Sequence, residues 1–231
     1  MIYITGDTHG EMCRFDSANV KKLKKGDTLI VCGDFGFIWD GGAKEEKNLR
    51  KLGKKKYNIL FLDGTHENFD LLDKYPVSEW NGGLVQNISG NLYHLMRGQV
   101  YTIENKKIFA FGGGETSEKQ IRIAAGKWWE REMPSMEEMA QGVKNLSAAG
   151  MTVDYILTHE PAPRVMTNTV NPTETTNQLE AYFEQIAKQV QFQKWYFGSI
   201  HTDRKITYRS YAVFDDVLPV EEPQKKRYRK S

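Results

Sequence analysis

Four histidines and two aspartates stand in short glycine-bearing or polar loops, each directly after an apolar run: Asp7 and His9 in GDTHG, Asp34 in GDFG, His66 in DGTHEN, His159 in THEP and His201 in GSIH. A single histidine is usually a satisfied surface or core group. Four of them at the ends of apolar runs, joined by two carboxylates, form the donor set of a metal centre. Carboxylate oxygens and neutral imidazole nitrogens suit Mn, Fe, Zn or Co better than calcium, which asks for more oxygen ligands. Glycines beside the donors let the backbone turn sharply and leave room for a bulky phosphate. A bridging carboxylate, for which Asp34 is best placed, would hold two ions about 3.5–4 Å apart, the spacing that activates water for in-line attack on phosphorus.

Such donors converge only if the elements before them are parallel. MIYIT, DTLIVCGD and YNILFLDG read as buried strands, and segments 15–25 and 44–55 between them carry the charge and apolar periodicity of crossover helices. In a parallel sheet the strand ends that carry these loops share one crevice. NLYHLM, QVYTI and KKIFAFGG follow without long helices between them and suggest a meander or a second sheet. Segment 114–134 fits neither period and reads as a loop or partly helical insertion. Ser135 and Glu138 have capping-box spacing and Gly150 can end the helix, so 135–149 is predicted helical. VDYILTH is a further strand, the apolar positions from Leu179 to Val190 recur at helical spacing, and WYFGSIH and KITYRSYAVFDDV supply the last strands.

Composition excludes several classes. The chain has 231 residues, 39% of them hydrophobic and 27% charged, with a net charge of +2, so no overall field draws it to nucleic acid or a membrane. The two cysteines, Cys13 and Cys32, cannot build a disulfide framework and fit a reducing compartment. The N-terminus has no secretory pattern and no apolar stretch approaches a membrane span, so a cytoplasmic location without membrane partners is expected. The basic segment 221–231 lacks apolar periodicity and is expected to be disordered. His94 stands apart from the polar loops and reads as structural, while Trp128 and Trp129 read as packing the insertion onto the core.

Taken in order, GDTHG, GDFG, DGTHEN, THEP and GSIH resemble the calcineurin-like metallophosphoesterases, whose pattern is D-x-H, GDxxD, GNH[DE], H and GHxH. The resemblance spans positions 6–201. It implies an α/β fold of two stacked mixed β-sheets flanked by helices, an α/β/β/α sandwich, over a single domain 1–220 with 114–134 as an insertion or cap loop. It also implies that Asp7, His9 and His201 hold a first metal, with Asp34 bridging to a second. In the family the second metal is completed by the asparagine of GNH[DE], the middle histidine and the first histidine of GHxH. Those positions are Thr65, His159 and Ser199 here. Hydroxyls are poorer ligands than amide oxygen or imidazole, so one tight site and one weak or absent site are expected.

His66 matches the family's catalytic histidine, expected to donate a proton to the leaving oxygen or a hydrogen bond to the phosphoryl group, worth about 10²–10⁴ in rate. Phe37 stands where the family has the carboxylate that orients this histidine, leaving Asp63 or Asp40 as candidate replacements. The sequence thus supports a metal-dependent hydrolase of phosphate monoesters or diesters, with a phosphorylated substrate such as a nucleotide or phosphoprotein. The competing reading is a module that keeps the metal and binds a phosphorylated ligand or partner without turnover.

Overall fold

The computed structural model describes residues 1–166 and 177–221. Residues 222–231 of the expected basic tail lie outside the described residues. The chain alternates β1 (Ile2–Thr5), α1 (Ala18–Lys21), β2 (Thr28–Val31), α2 (Ala43–Gly53), β3 (Asn58–Phe61) and α3 (Phe69–Leu72), then runs through β4 (Val77–Trp80), β5 (Gly83–Ser89), β6 (Leu92–Leu95), β7 (Gln99–Ile103) and β8 (Lys106–Phe111). After α4 (Lys119–Ala124) and α5 (Met136–Ala148) come β9 (Tyr155–Thr158), α6 (Pro163–Met166), α7 (Gln178–Gln189), β10 (Lys194–Phe197), β11 (Arg204–Lys205), β12 (Ser210–Ala212) and β13 (Leu218–Pro219).

Two mixed sheets result. The seven-stranded sheet has the order β13-β1-β2-β3-β6-β5-β4, and the six-stranded sheet β11-β12-β10-β9-β8-β7. β1, β2, β3 and β6 are parallel in the first, and β8, β9, β10 and β12 in the second. Period-two alternation sorts the strand residues into layers. Ile4, Ile30 and Leu60 pack against Tyr155, Leu157 and Tyr196 between the sheets. Leu29, Val31, Ile59 and Phe61 turn outward onto Val20 of α1 and Leu49 and Leu52 of α2. Phe109, Ile156, Trp195 and Phe197 of the second sheet turn outward onto Leu146 of α5 and Leu179, Phe183 and Ile186 of α7. This is the expected helix–sheet–sheet–helix arrangement.

The helices stop and start as their ends dictate. Ser135 and Glu138 form the predicted capping box at the start of α5, and Asn177 with Glu180 forms another at α7. Among the described residues no helix is long and apolar enough to cross a membrane. The group read as a meander or second sheet divides: β6 pairs parallel with β3, while β7 and β8 form a hairpin of the other sheet. The crossing turns on Gly98 (φ 73°), where a Cβ would stand 2.8 Å from the Gly142 Cα. The β4–β5 hairpin escapes the pattern reading because β4 is half exposed; its turn is Asn81–Gly82 with φ of 48° and 90°, the positive pair a tight hairpin needs. Segment 114–134 is partly helical, holding α4 and a 3₁₀ turn at Glu130–Glu132.

Candidate metal centre

The parallel strands of both sheets end at one rim. Asp7 and His9 follow β1, Asp34 follows β2, residues 63–68 follow β3, His159 follows β9, and Ser199 and His201 follow β10. The loops are tightly wound. His9 and Asp34 have φ of 43°, Ser199 65° and His201 46°, left-handed values that cost non-glycine residues about 1–3 kcal/mol each and gather at working sites. Two glycines permit the closest approaches: a Cβ on Gly64 would lie 2.2 Å from Asp34 Oδ1, and one on Gly198 would lie 2.2 Å from Asp7 Oδ1.

One donor group consists of Asp7, His9 and His201, whose ligand atoms all lie within 4.8 Å of one another. His201 Nε2 is 3.1 Å from both His9 Nε2 and Asp7 Oδ2. Around an ion with metal–nitrogen distances of about 2.0–2.1 Å, neighbouring ligand atoms stand about 3.0–3.4 Å apart, so this donor set fits a transition metal in both spacing and chemistry. A second group within the same limit joins His9, Asp34 and His66. His9 is common to the two groups. Asp34 Oδ2 lies 4.0 Å from His9 Nδ1 and 2.8 Å from His66 Nδ1, while Oδ1 accepts the Thr65 and His66 backbone N–H groups at 2.5 and 2.9 Å. His159 is buried between the two aspartates. Its Nδ1 donates to the Cys32 carbonyl at 3.2 Å and lies 3.7 Å from Asp7 Oδ1, leaving Nε2 3.5 Å from Asp34 Oδ1.

The electrostatics describe a place prepared for positive charge. Burial pushes the Asp7 carboxyl up to about 6, with His159 pulling the other way. Burial also acts upward on Asp34, yet His159 and His66 hold its carboxyl below the usual range. His159 is driven to about 9 because Asp34 and Asp7 outweigh the lowering effect of burial. A proton on His159 therefore balances the buried carboxylates, a task a divalent cation performs with more charge. Burial lowers His9, which keeps its imidazole neutral and its lone pair available as a ligand.

Thr65 and Ser199 meet this cluster through backbone rather than hydroxyl. Thr65 N donates to Asp34, and Ser199 N donates to both Asp7 oxygens at 3.2 and 3.0 Å. The Ser199 hydroxyl donates to Glu160 Oε2 at 3.0 Å.

Neither candidate replacement for the orienting carboxylate reaches His66. Asp63 is buried, bonded to Arg97 Nε at 2.9 Å and Nη2 at 2.5 Å and to His94 Nε2 at 3.0 Å; Asp40 is exposed and pairs with Lys127 at 2.9 Å. Asp34 itself takes the His66 Nδ1. Phe37 fills its position with an apolar ring packed on Phe35 and Phe15, with centroids 4.8 and 5.7 Å away. His94, between Gln86 at 2.7 Å and Asp63, is structural as expected.

Two contributions go beyond the sequence reading, those of Glu67 and Arg122, while Asn68 makes the helix cap its position suggests. Glu67 is buried and accepts the Phe35 and Gly36 N–H groups at 2.8 and 3.0 Å, clamping the GDFG loop. Asn68 caps α3 through Leu71 N at 3.1 Å. Arg122 of α4 reaches the rim from the insertion: its Nη1 donates to the Thr65 carbonyl and its Nη2 lies 2.8 Å from His66 Nε2. The only advance sign of it was an arginine between two isoleucines, four residues after Glu118. Of the two tryptophans, Trp129 ties the insertion to the rest of the fold, its Nε1 donating to Asp70 at 2.9 Å, whereas Trp128 bonds within the insertion, its Nε1 donating to Glu132 at 3.0 Å. A cleft of about 410 Å³ opens beside His9 and His66, walled by Phe37, Trp39, Lys44 and Asn48.

The sequence profile of a family described as calcineurin-like phosphoesterase matches residues 1–201. No curated protein matches the chain. Among solved structures, the crystal structure of phosphopantetheinyl hydrolase (PptH) from Mycobacterium tuberculosis is similar at 14% identity and a TM-score of 0.44, over 92% of this chain and 89% of that one.

Proposed function

Because the chain belongs to the calcineurin-like phosphoesterase family, we propose that it hydrolyses a phosphate monoester or diester at the rim described above. Asp7, His9, Asp34 and His201 would hold one divalent transition metal (Mn, Fe, Zn or Co) tightly. Asp34 and His159 would hold a second one weakly, because Thr65 and Ser199 bring no strong donor. The observation that carries this reading is the 3.1 Å spacing of His201 Nε2 from His9 Nε2 and from Asp7 Oδ2.

When bound, the metal supplies a lowered pKa for water and positive charge for the phosphoryl oxygens. The protein supplies the rest. Asp34 fixes the His66 ring through Nδ1 and leaves Nε2 as the nitrogen that takes or returns a proton at the reacting group, provided Arg122 releases it. Phe37 and Trp39 give the cleft an apolar wall for the organic part of the ester. Residues 1–220 would act as one domain, in a reducing cytoplasmic setting suited to the free thiols of Cys13 and Cys32.

The test combines metal content per chain with hydrolysis of p-nitrophenyl phosphate and bis-p-nitrophenyl phosphate across a Mn titration. Turnover that rises as a second equivalent is driven on is expected. One observation favours the alternative of a binding module without turnover: the Ser199 hydroxyl is already committed to Glu160. One tight metal with no hydrolysis of either ester at saturating Mn would establish that alternative.

A further inference from the structure

Two arginines are buried among the described residues, each 7% exposed, and they are placed differently. Arg97 is a structural cation: Asp63 accepts its Nε and Nη2, Glu138 accepts Nη1 at 3.0 Å, and the backbone carbonyls of Arg131 and Glu132 take further N–H groups. Its charge is matched by two carboxylates. Arg122 has one carboxylate bonded to it, Glu118, at 3.3 Å with a side chain 58% exposed. The buried Glu132 lies nearby, but its Oε1 accepts from Thr116 N and Trp128 Nε1. The remaining bonds of Arg122 are to neutral acceptors of the metal rim: the Thr65 carbonyl and the His66 ring.

A guanidinium can only donate, so His66 Nε2 accepts from Arg122 and the ring proton sits on Nδ1, facing Asp34. The nitrogen proposed above for proton transfer is therefore covered by a cation. An incoming phosphoryl anion is a better acceptor for a guanidinium than an imidazole, because it brings a full opposite charge and can accept two parallel N–H bonds where the imidazole offers one neutral lone pair. Arg122 is also anchored for such a task. The insertion that carries it is tied to the first-sheet side by Trp129 Nε1 to Asp70 at 2.9 Å, by Lys127 to Asp40 at 2.9 Å and by Arg131 to Asp73.

We propose that Arg122 is a phosphate-binding residue of this site, standing in for part of the positive charge that the weakened second metal position does not supply. On substrate binding, the hydrogen bond from its Nη2–H switches from His66 Nε2 to a non-bridging phosphoryl oxygen, the guanidinium keeping its proton, and the freed Nε2 lone pair can take a proton from the attacking water and pass it to the leaving oxygen. The coincidence of place supports it: Arg122 bonds the backbone of Thr65, the residue whose side chain replaces a second-metal ligand of the family pattern. The proposal rests on the phosphoesterase reading, and its test contains a measurement that does not.

That measurement is inorganic phosphate binding to the Mn-loaded protein by calorimetry, for the parent chain, Arg122→Ala and Arg122→Lys, with metal content measured in each. Phosphate affinity is expected to fall about tenfold or more in Arg122→Ala and less in Arg122→Lys, at unchanged metal content. If the parent turns over, Arg122→Ala is expected to lose about 10²–10³ in kcat/KM, as for loss of one positioned charge donor, and millimolar free guanidinium is expected to restore part of it. The same Arg122→Ala change in a Thr65→Asn/Ser199→His background is expected to cost less, because a firmly held second metal takes over the charge. Unchanged phosphate affinity in Arg122→Ala would overturn the proposal and leave Arg122 as a brace for His66. An inactive parent whose phosphate affinity still depends on Arg122 would remove the phosphoesterase reading alone.

Discussion

The Ser199 hydroxyl donates to Glu160 Oε2 at 3.0 Å, while the Ser199 N–H donates to Asp7. The position that carries an imidazole in the family pattern here links Asp7, a candidate metal ligand, with a neighbouring acid. Burial pushes the Glu160 carboxyl up, against the pull of His159.

Restoring the missing ligands should therefore change the second metal and spare the first. Thr65→Asn with Ser199→His is expected to tighten the second equivalent of Mn by at least about 10- to 100-fold, the range already produced by losing a single partner that only orients a ligand. Calorimetric titration with Mn reads both equivalents. An unchanged second equivalent would place the weakness elsewhere than in these two side chains.

His201 is a ligand candidate on an open part of the rim, its side chain 52% exposed. His201→Ala should leave the melting temperature of the metal-free protein as it was. The parent should gain stability with metal, about 2.7 kcal/mol when the ion is present at 100 times its Kd. The variant should lose that gain, as thermal melts with and without EDTA will report.

His66 makes its bonds to Asp34 and Arg122 at the edge of the cleft rather than in the core. Replacement by Asn should lower kcat by about 10²–10⁴, the worth of a positioned acid or base, with metal content and melting temperature retained. Equal kcat in parent and variant would show that the ring has no part in proton transfer.

Acid should weaken the fold through Asp63. Burial alone would raise its carboxyl; Arg97 and His94 instead hold it well below the usual range. With a folded pKa below the unfolded value of about 3.9, the folded state binds fewer protons there, so the contribution is complete at neutral pH and is lost as pH falls below about 4. Asp63→Asn, which leaves the buried Arg97 charge with Glu138 as its one carboxylate partner, is expected to cost about 3–5 kcal/mol in urea unfolding at pH 7. It should also flatten the decline between pH 5 and pH 3. An equal acid slope in parent and variant would exclude Asp63 as its source.

Much of the architecture was legible because buried strands and polar strand-end loops alternate so regularly. MIYIT, DTLIVCGD and YNILFLDG announce three parallel strands, and the loops after them and after β9 and β10 carry the histidines and aspartates that meet at the rim. What escaped was set by space. β4 is half exposed and its Asn81–Gly82 turn looks like any polar loop until its backbone angles are seen. The partner of His66 was sought at Asp63 and Asp40, yet the adjacency of β2 and β3 gives that place to Asp34. Arg122 was invisible because nothing in the periodicity of 114–134 says which way a short helix will turn.

The rim draws on both sheets, and the two contributions are far apart along the chain. Asp7, His9, Asp34 and His66 belong to the first 66 residues, whereas His159 and His201 follow β9 and β10. A chain emerging from a ribosome displays the early donors long before it can offer His201, and the sheets that unite them depend on contacts of large sequence separation, which form slowly. Metal capture by the full donor set would thus be a late event in the life of the nascent protein. A bound ion would mark a molecule whose second sheet has docked, so the same centre that would perform chemistry would also serve as a record of folding.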